Sequence, residues 1–249
     1  MKGLRVSVSA SAFKRWAAES TLPSATSPLA QVIGIGRMTL QRQLVSGRVR
    51  EETVIAAARA GGMSPVTALS AFEEYEGLER GMKPPSPAEV LSQVTLDDAS
   101  VALLRRRGGR AAALLGDGGS WEDPPQPNGL KAWIDAVDPG GIRLQLAERL
   151  GMSPQQLSRE ITGNGMRPRH LIEAARLAHT SLTSGLAVAG VVTLQEAGWS
   201  ADARDQVVSR LSEVELIELV QARLATAHRA ARRRAYDDAA ARRIEENLG

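Results

Sequence analysis

Displaced by 117 positions, residues 13–71 of this chain fall on residues 130–188 without a gap, and 14 of the paired positions are identical. Lys14 and Trp16 meet Lys131 and Trp133, Leu29 and Ala30 meet Leu146 and Ala147, and Gly34 meets Gly151. Further along, Leu40, Arg42, Arg50 and Ile55 meet Leu157, Arg159, Arg167 and Ile172. The run Ala57-Ala58-Arg59 meets Ala174-Ala175-Arg176, and Ser64 and Leu69 meet Ser181 and Leu186. Two copies are too few to stack into a solenoid, so the self-match predicts two similar units in tandem. A chain of 249 residues has room for both, each with its own core.

The units read as helical. Aromatic residues are only 3% of the chain, β-branched alternation is almost absent, and Ala, Leu, Val and Arg dominate, which predicts an all-α fold. Helix starts are marked by Ser27-Pro28, Ser64-Pro65, Ser86-Pro87 and Ser153-Pro154, each an N-cap side chain before a proline that needs no N–H. Ser86 with Glu89, and Ser153 with Gln156, add capping-box partners. The first copy then has helices near 11–20, 27–33, 37–45, 50–60 and 64–76. The second has them near 129–137, 143–150, 154–162, 168–178 and 181–190. A further helical pair follows each core, at 87–94 and 96–107 and again at 201–211 and from 213 onward, with Thr95/Asp98 and Ser212/Glu215 capping the second member.

The Gly- and Pro-rich stretch GDGGSWEDPPQPNG reads as an interdomain linker. The predicted organisation is a first domain at 1–82, a helical pair at 83–115, the linker at 116–128, a second domain at 129–199 and a C-terminal helical region at 200–249. The last helix is expected to be long, without a sustained heptad.

Several function classes lose support. The chain has no cysteine, which removes disulfide frameworks, thiolate zinc sites and cysteine nucleophiles. Its three histidines, His170, His179 and His228, have no metal-ligand or catalytic spacing to other residues, so no cofactor, no metal and no enzymatic activity are expected. Gly34-Ile35-Gly36 follows a helix and lacks a third glycine, so it is not a dinucleotide fingerprint. The longest apolar stretch, 185–194, is too short to span a bilayer, and the chain reads as soluble, cytoplasmic and without a membrane partner.

Charge is uneven despite a net value of only +3. Between Pro28 and Arg50 there are four arginines (Arg37, Arg42, Arg48 and Arg50) and no acid, the pattern of a phosphate-binding strip or of a solvated helix face. The segments 29–44 and 146–161 give this strip a shape. In each, a short helix puts Leu and a small Ala on one face, a glycine ends it, an apolar residue (Ile35, Met152) plugs the turn, and a small residue (Gly36, Ser153) caps the next helix. That helix is expected to bury Leu40 and Leu44, or Leu157 and Ile161. Its opposite face carries Arg37, Met38, Gln41 and Arg42 in one copy and Gln155, Gln156, Ser158 and Arg159 in the other. Glutamine can bridge adenine, arginine can fork onto guanine and serine can bond to either, so these eight are candidate base-reading residues for a major groove.

On these residues both segments resemble the helix-turn-helix of the lambda-repressor-like (Xre-like) DNA-binding domains. The tandem arrangement is similar to the immunity repressors of actinobacterial temperate phages. Both copies depart from the family pattern in having Gln43 or Glu160 three positions after the first buried Leu, where the family has an aliphatic residue. The resemblance implies that the loop after the second helix and the start of the next helix lie against the DNA backbone, making Arg48, Arg50, Asn164, Arg167 and Arg169 phosphate candidates, with Thr39 on the second helix a further one. Arg59 and Arg176, within apolar helix surroundings, are expected to play a structural role, snorkelling or pairing with a nearby acid, and Trp16 and Trp133 to anchor cores. The expected function is a sequence-specific transcriptional repressor that reads an asymmetric double-stranded site with two heads. A weak dimer is left open beside a monomer on DNA. The alternative is a DNA-packaging or DNA-organising protein using the same heads.

Overall fold

A computed structural model describes residues 7–115, 121–138 and 140–248; the side chains of 241 and 244–248 are outside that description. The protein is all-α, with fifteen α-helices among the described residues. In chain order, a two-residue strand β1 (Val8–Ser9) precedes α1 (Ala10–Glu19), α2 (Thr26–Val32) and α3 (Arg37–Val45). Strand β2 (Arg48–Val49) leads into α4 (Glu51–Ala60), α5 (Pro65–Ser70) and a 3-10 turn at Glu73–Tyr75. Then come α6 (Pro87–Ser92), α7 (Leu96–Arg107) and α8 (Arg110–Leu115). The second copy supplies α9 (Gly129–Val137), α10 (Ile142–Leu150), α11 (Pro154–Thr162), α12 (Pro168–Leu177) and α13 (Ser184–Val188). It ends in α14 (Ala203–Arg210) and α15 (Glu213–Leu248). No helix among the described residues is long and apolar enough to cross a membrane.

The chain divides into two compact units, and not at the boundaries expected from the sequence. Residues 1–93 and 124–201 make one unit, which holds both copies of the five-helix core; 94–123 and 202–249 make the other. Of the stretch expected as linker, 116–120 lies outside the described residues. Gln126 is buried, donating from Nε2 to the Gln93 carbonyl at 3.0 Å.

In the first unit the two cores are stitched together directly. The Lys83 N–H donates to Ser181 Oγ at 3.0 Å, and the Leu182 N–H to the Gly81 carbonyl at 3.1 Å. A Cβ at Gly81 would lie 2.3 Å from the Leu182 side chain, so only glycine allows this approach. Helix α6 packs on α9, where Glu89 accepts from the Trp133 indole at 3.3 Å and Gln93 Nε2 donates to the Gly129 carbonyl at 3.2 Å.

The backbone repeats as the sequence does. Three left-handed positions recur at the same offset: Gly34 and Gly151 (φ +71° and +62°), Gly47 and Asn164 (+75° and +50°), and Gly62 and His179 (+68° and +56°). Buried partners recur too, among them Phe13/Leu130, Leu29/Leu146, Leu40/Leu157, Val54/Leu171 and Leu69/Leu186.

The second unit packs α7 against α15, with Ala99 and Leu216, again 117 apart, both fully buried. Arginines fasten it. The Arg106 guanidinium donates to the carbonyls of Val208 (2.8 Å) and Leu211 at the end of α14, where helix carbonyls lack intrahelical partners. Arg223 Nε donates to the Val94 carbonyl at 2.8 Å. Arg204 sits over the Trp121 ring and pairs with Asp123 at 3.1 Å.

The expected caps form at Ser64, Ser86 and Thr95, the last two as complete capping boxes, and Ser212 and Glu215 bond reciprocally. Two starts differ from expectation. Helix α2 begins at Thr26 with Ala25 as an unbonded cap, because Pro28 is tolerated anywhere in a first turn whose N–H groups have no helical acceptor. Ser153 accepts from the Gln156 N–H, but the Gln156 side chain turns to Glu160 at 3.3 Å, leaving the box half made.

Helices α5 and α13 are shorter than expected. After α5 the chain turns to bury Phe72, Tyr75 and Leu78. Before α13, Ser181 and Thr183 bond each other at 2.8 Å and Thr183 donates to the Ala197 carbonyl, local bonds that compete with a helical turn.

Candidate nucleic-acid interface

The turn between the second and third helices of each copy is built from two backbone bonds. In the first, Gly34 N–H donates to Gln31 O at 3.3 Å and Ile35 N–H to Ala30 O at 3.0 Å. In the second, Gly151 N–H donates to Glu148 O at 3.1 Å and Met152 N–H to Ala147 O at 2.9 Å. This is the Schellman closure, which needs a left-handed residue at the position both glycines hold. Ile35 and Met152 are half-buried in the turn, the third helix packs on the second, and Leu29/Ala30 and Leu146/Ala147 of the second helices are buried.

The third helices present the polar faces read from the sequence. Arg37, Met38, Thr39, Gln41 and Arg42 on α3 are exposed, as are Gln155, Gln156, Ser158 and Arg159 on α11. Met38 is 69% exposed, which is unusual for its side chain and leaves an apolar group standing among the polar ones. Arg37, Arg42 and Arg159 form no ion pair among the described residues.

The inward faces differ from expectation in the first copy. Leu40 is fully buried, but its companion is Gln43, and Leu44 is only half-buried; in the second copy Leu157 and Ile161 are both buried as expected. Gln43 is held because its Oε1 accepts from the Arg50 N–H at 2.7 Å and from Thr53 Oγ1 at 3.1 Å, tying α3 to the start of α4. The equivalent positions in the second copy are Glu160 and His170, whose Oε2 and Nδ1 atoms lie 3.6 Å apart. Burial pulls the His170 imidazole below its ordinary value, with Arg167 and Arg169 acting in the same direction and Glu160 opposing.

The copies also diverge in the turn after the third helix. In the first, β2 pairs antiparallel with β1, Val8 opposite Val49 and Ser9 opposite Arg48, an element the sequence did not announce. In the second, Pro125 stands where Val8 would be and has no N–H to put into a ladder. Asn164 closes the gap instead: its Nδ2 donates to the Gln126 carbonyl at 2.8 Å and its Oδ1 accepts from the Leu130 N–H at 3.2 Å. The Asn164 amide is thus engaged inside the protein.

The cores bring together four of the six candidate phosphate residues, Arg48, Arg50, Asn164 and Arg167, but not Thr39 or Arg169. Arg42, Arg48 and Arg50 of the first copy and Arg167 and Asn164 of the second line one groove of about 1200 Å³, with Glu51 and Glu52 on its wall. Glu51 is buried and accepts from the Tyr75 hydroxyl at 2.6 Å; burial raises its carboxyl above the usual range despite that bond. Arg169 lies elsewhere, in a smaller pocket of about 490 Å³ beside Glu73, Glu74 and Glu76.

Arg59 reaches across to Glu196 through two bonds of 2.9 and 2.7 Å, and Arg176 pairs with Glu173 one turn away. Arg59 holds the Glu196 carboxyl below its usual range. Trp133 is fully buried, whereas Trp16 is half-buried, its ring centroid 5.8 Å from that of Phe13 and 5.9 Å from that of Phe72. No group of three or more His, Asp or Glu side chains among the described residues could hold a metal ion. Comparison of the chain with protein-family models, with curated proteins and with solved structures finds no match.

Proposed function

We propose that the protein is a sequence-specific double-stranded DNA-binding repressor whose two helix-turn-helix heads, α2–α3 and α10–α11, read two stretches of one asymmetric site. The observation that carries this reading is the pairing of two exposed third-helix faces with one groove. Arg42, Arg48, Arg50 and Arg167, from both copies, line it. Exposed Arg, Gln and Ser on a helix face supply base-edge chemistry, and convergent guanidinium groups supply phosphate neutralisation. The two faces differ, Arg37-Met38-Thr39 against Pro154-Gln155-Gln156, so the preferred sequence is not a palindrome. Because both heads belong to one compact unit, their spacing is held by packing, and one chain supplies what most such domains obtain by dimerising. Occupancy of a promoter, or obstruction of an advancing polymerase, would then repress transcription.

Selection of bound sequences from random duplexes tests the reading, repeated with Arg42→Ala and Arg159→Ala. The expected outcome is one asymmetric motif, relaxed at different positions by the two substitutions, each of which weakens binding by about 1–3 kcal/mol. Strong binding with no enriched motif would replace the repressor by a DNA-organising protein; no binding would remove DNA as the partner.

A further inference from the structure

Helices α7 and α15 are equivalent under the repeat for their first twelve residues, and then only one of them stops. At the end of α7 stand Gly108 and Gly109, both left-handed (φ +67° and +85°). The equivalent positions in α15 are Ala225 and Thr226, which continue a helix readily, and α15 runs on to Leu248. The continuation is roughly 36 Å long at 1.5 Å per residue.

Its charge is organised differently from that of the packed part. There, Arg106, Arg107, Arg204 and Arg223 are each bonded to a carbonyl or an acid. Beyond it, Arg229 donates to the Thr226 hydroxyl at 3.0 Å, and Arg229, Arg232, Arg233 and Arg234 form no ion pair among the described residues. No acid occurs between Leu219 and Tyr236. At 100° per residue Arg229, Arg232, Arg233 and Arg243 fall on one stripe with Tyr236, which is 76% exposed; Asp237 stands at its edge, about 40° from Arg233, and Asp238 is on the opposite side. Like charges three and four residues apart destabilise a lone helix, and a helix shaped only for solubility would alternate its signs along that stripe.

We propose that the stripe Arg229–Arg232–Arg233–Arg243 is an arm that lies along the phosphate backbone of duplex DNA and binds it without regard to sequence. A row of guanidinium groups with no ion pair among the described residues, carried on one continuous helix, complements a regular row of phosphates, and the exposed tyrosine adds a donor for a phosphate oxygen. The arm is a third point of attachment in addition to the two heads and rests on the reading of the protein as a DNA binder. It raises affinity for all duplexes and shortens the search for the specific one by keeping the protein on DNA.

The test uses the full chain with Arg229→Gln, Arg232→Gln and Arg233→Gln combined, and separately with all three changed to Lys. Binding is followed by fluorescence anisotropy over a range of KCl, on the duplex carrying the selected site and on one of scrambled sequence. The Gln variant is expected to keep its helical circular dichroism and its preference for the selected site. Its log–log salt slope becomes shallower by about 2–3, and its affinity for both duplexes at ~0.1 M salt falls by roughly ten- to a hundred-fold. The Lys variant keeps the wild-type slope. If the wild type binds neither duplex, the underlying DNA reading falls. If it binds and the Gln variant shows the same slope, the arm alone is overturned. Binding of the wild type, but not the Gln variant, to phosphatidylserine–phosphatidylcholine vesicles with no change in DNA slope would overturn the choice of partner.

Discussion

Gln43 and Glu160 occupy the same place in the two copies of the repeat, on the inner side of the third helix, and they hold that helix in different ways. Gln43 is neutral and its buried oxygen accepts two hydrogen bonds from the start of α4. Glu160 faces His170 at 3.6 Å, and neither Glu160 Oε2 nor His170 Nδ1, both buried, has a hydrogen-bond partner. A second contrast lies one helix earlier: Trp133 is covered by α6, whose counterpart α14 belongs to the other unit, and Trp16 is left half open. One scaffold thus supports a first copy closed by satisfied neutral bonds and a second closed by a buried indole and a titratable pair. Between the two copies the polar and charged groups behind the third helix differ, while the turn glycine and the buried Leu40/Leu157 are the same.

The largest expected effect breaks the comparison at the tryptophans. Trp133→Ala removes a fully buried ring and strands the Glu89 carboxylate that accepts its N–H, and should cost about 3–5 kcal/mol. Trp16→Ala removes a ring already half in water and should cost about 1–2 kcal/mol. Urea denaturation of the full chain measures both. Since the two cores share one unit, Trp133→Ala should lower the stability of both heads in a single transition. Separate transitions for the heads would mean that the seam at Gly81, Lys83 and Ser181 does not couple them.

Next in size is the inner face of the third helix. Gln43→Ala leaves the Arg50 N–H and the Thr53 hydroxyl without their acceptor and should cost about 1–3 kcal/mol. Glu160→Gln removes a partly buried charge and offers His170 a neutral donor, so it should leave stability at pH 7 unchanged or raise it by about 1 kcal/mol. Equal losses in the two variants would show that the pairs are equivalent after all.

The pair at 160 and 170 also predicts a pH response confined to the second copy. The folded His170 pKa lies below its unfolded value, so folding is opposed by protonation. Its contribution is complete above about pH 6.5 and is lost as the pH falls through the lower, folded value. Thr53, at the matching position, does not titrate. Thermal stability of the wild type should therefore fall between pH 7 and pH 5 more than that of His170→Thr, which restores the residue of the first copy. Parallel pH profiles would remove His170 as the cause.

Much of this was legible in the sequence, for identifiable reasons. The offset of 117, the turn glycines and the exposed faces of α3 and α11 follow from local rules: helical period, left-handed glycine and capping side chains. The β1–β2 pair, the engagement of Asn164 and the burial of Gln43 could not be read that way. Each depends on what a residue meets seven or more positions away, such as Gln126 for Asn164. The convergence of Arg48, Arg50 and Arg167 was hidden for the same reason. Two copies read as tethered domains, whereas the fold divides the chain by joining both cores and sending α7, α14 and α15 elsewhere. One long-range feature did leave a signal: Pro125, set against Val8 by the repeat, already forbids a matching strand in the second copy.

The smallest effect concerns the caps of the two third helices. Ser153 caps α11 by accepting the Gln156 N–H at 3.2 Å, while Gly36, at the matching place on α3, has no side chain to do so. Gly36 has φ −61° and ψ 132°, the extended geometry of a cap that any residue adopts, and a Cβ there would meet Thr39 Oγ1 at an ordinary 3.5 Å. Gly36→Ser should therefore fit without strain and place a hydroxyl beside the Thr39 N–H. Serine exceeds glycine as a cap by only a few tenths of a kcal/mol, and the lower backbone entropy of the unfolded chain adds about as much. The gain is measurable as a small rise in urea midpoint at constant m-value. Ser153→Gly should give a loss of the same size, and a rise in the first with no fall in the second would mean that α11 is held by His170 and Glu160 rather than by its cap.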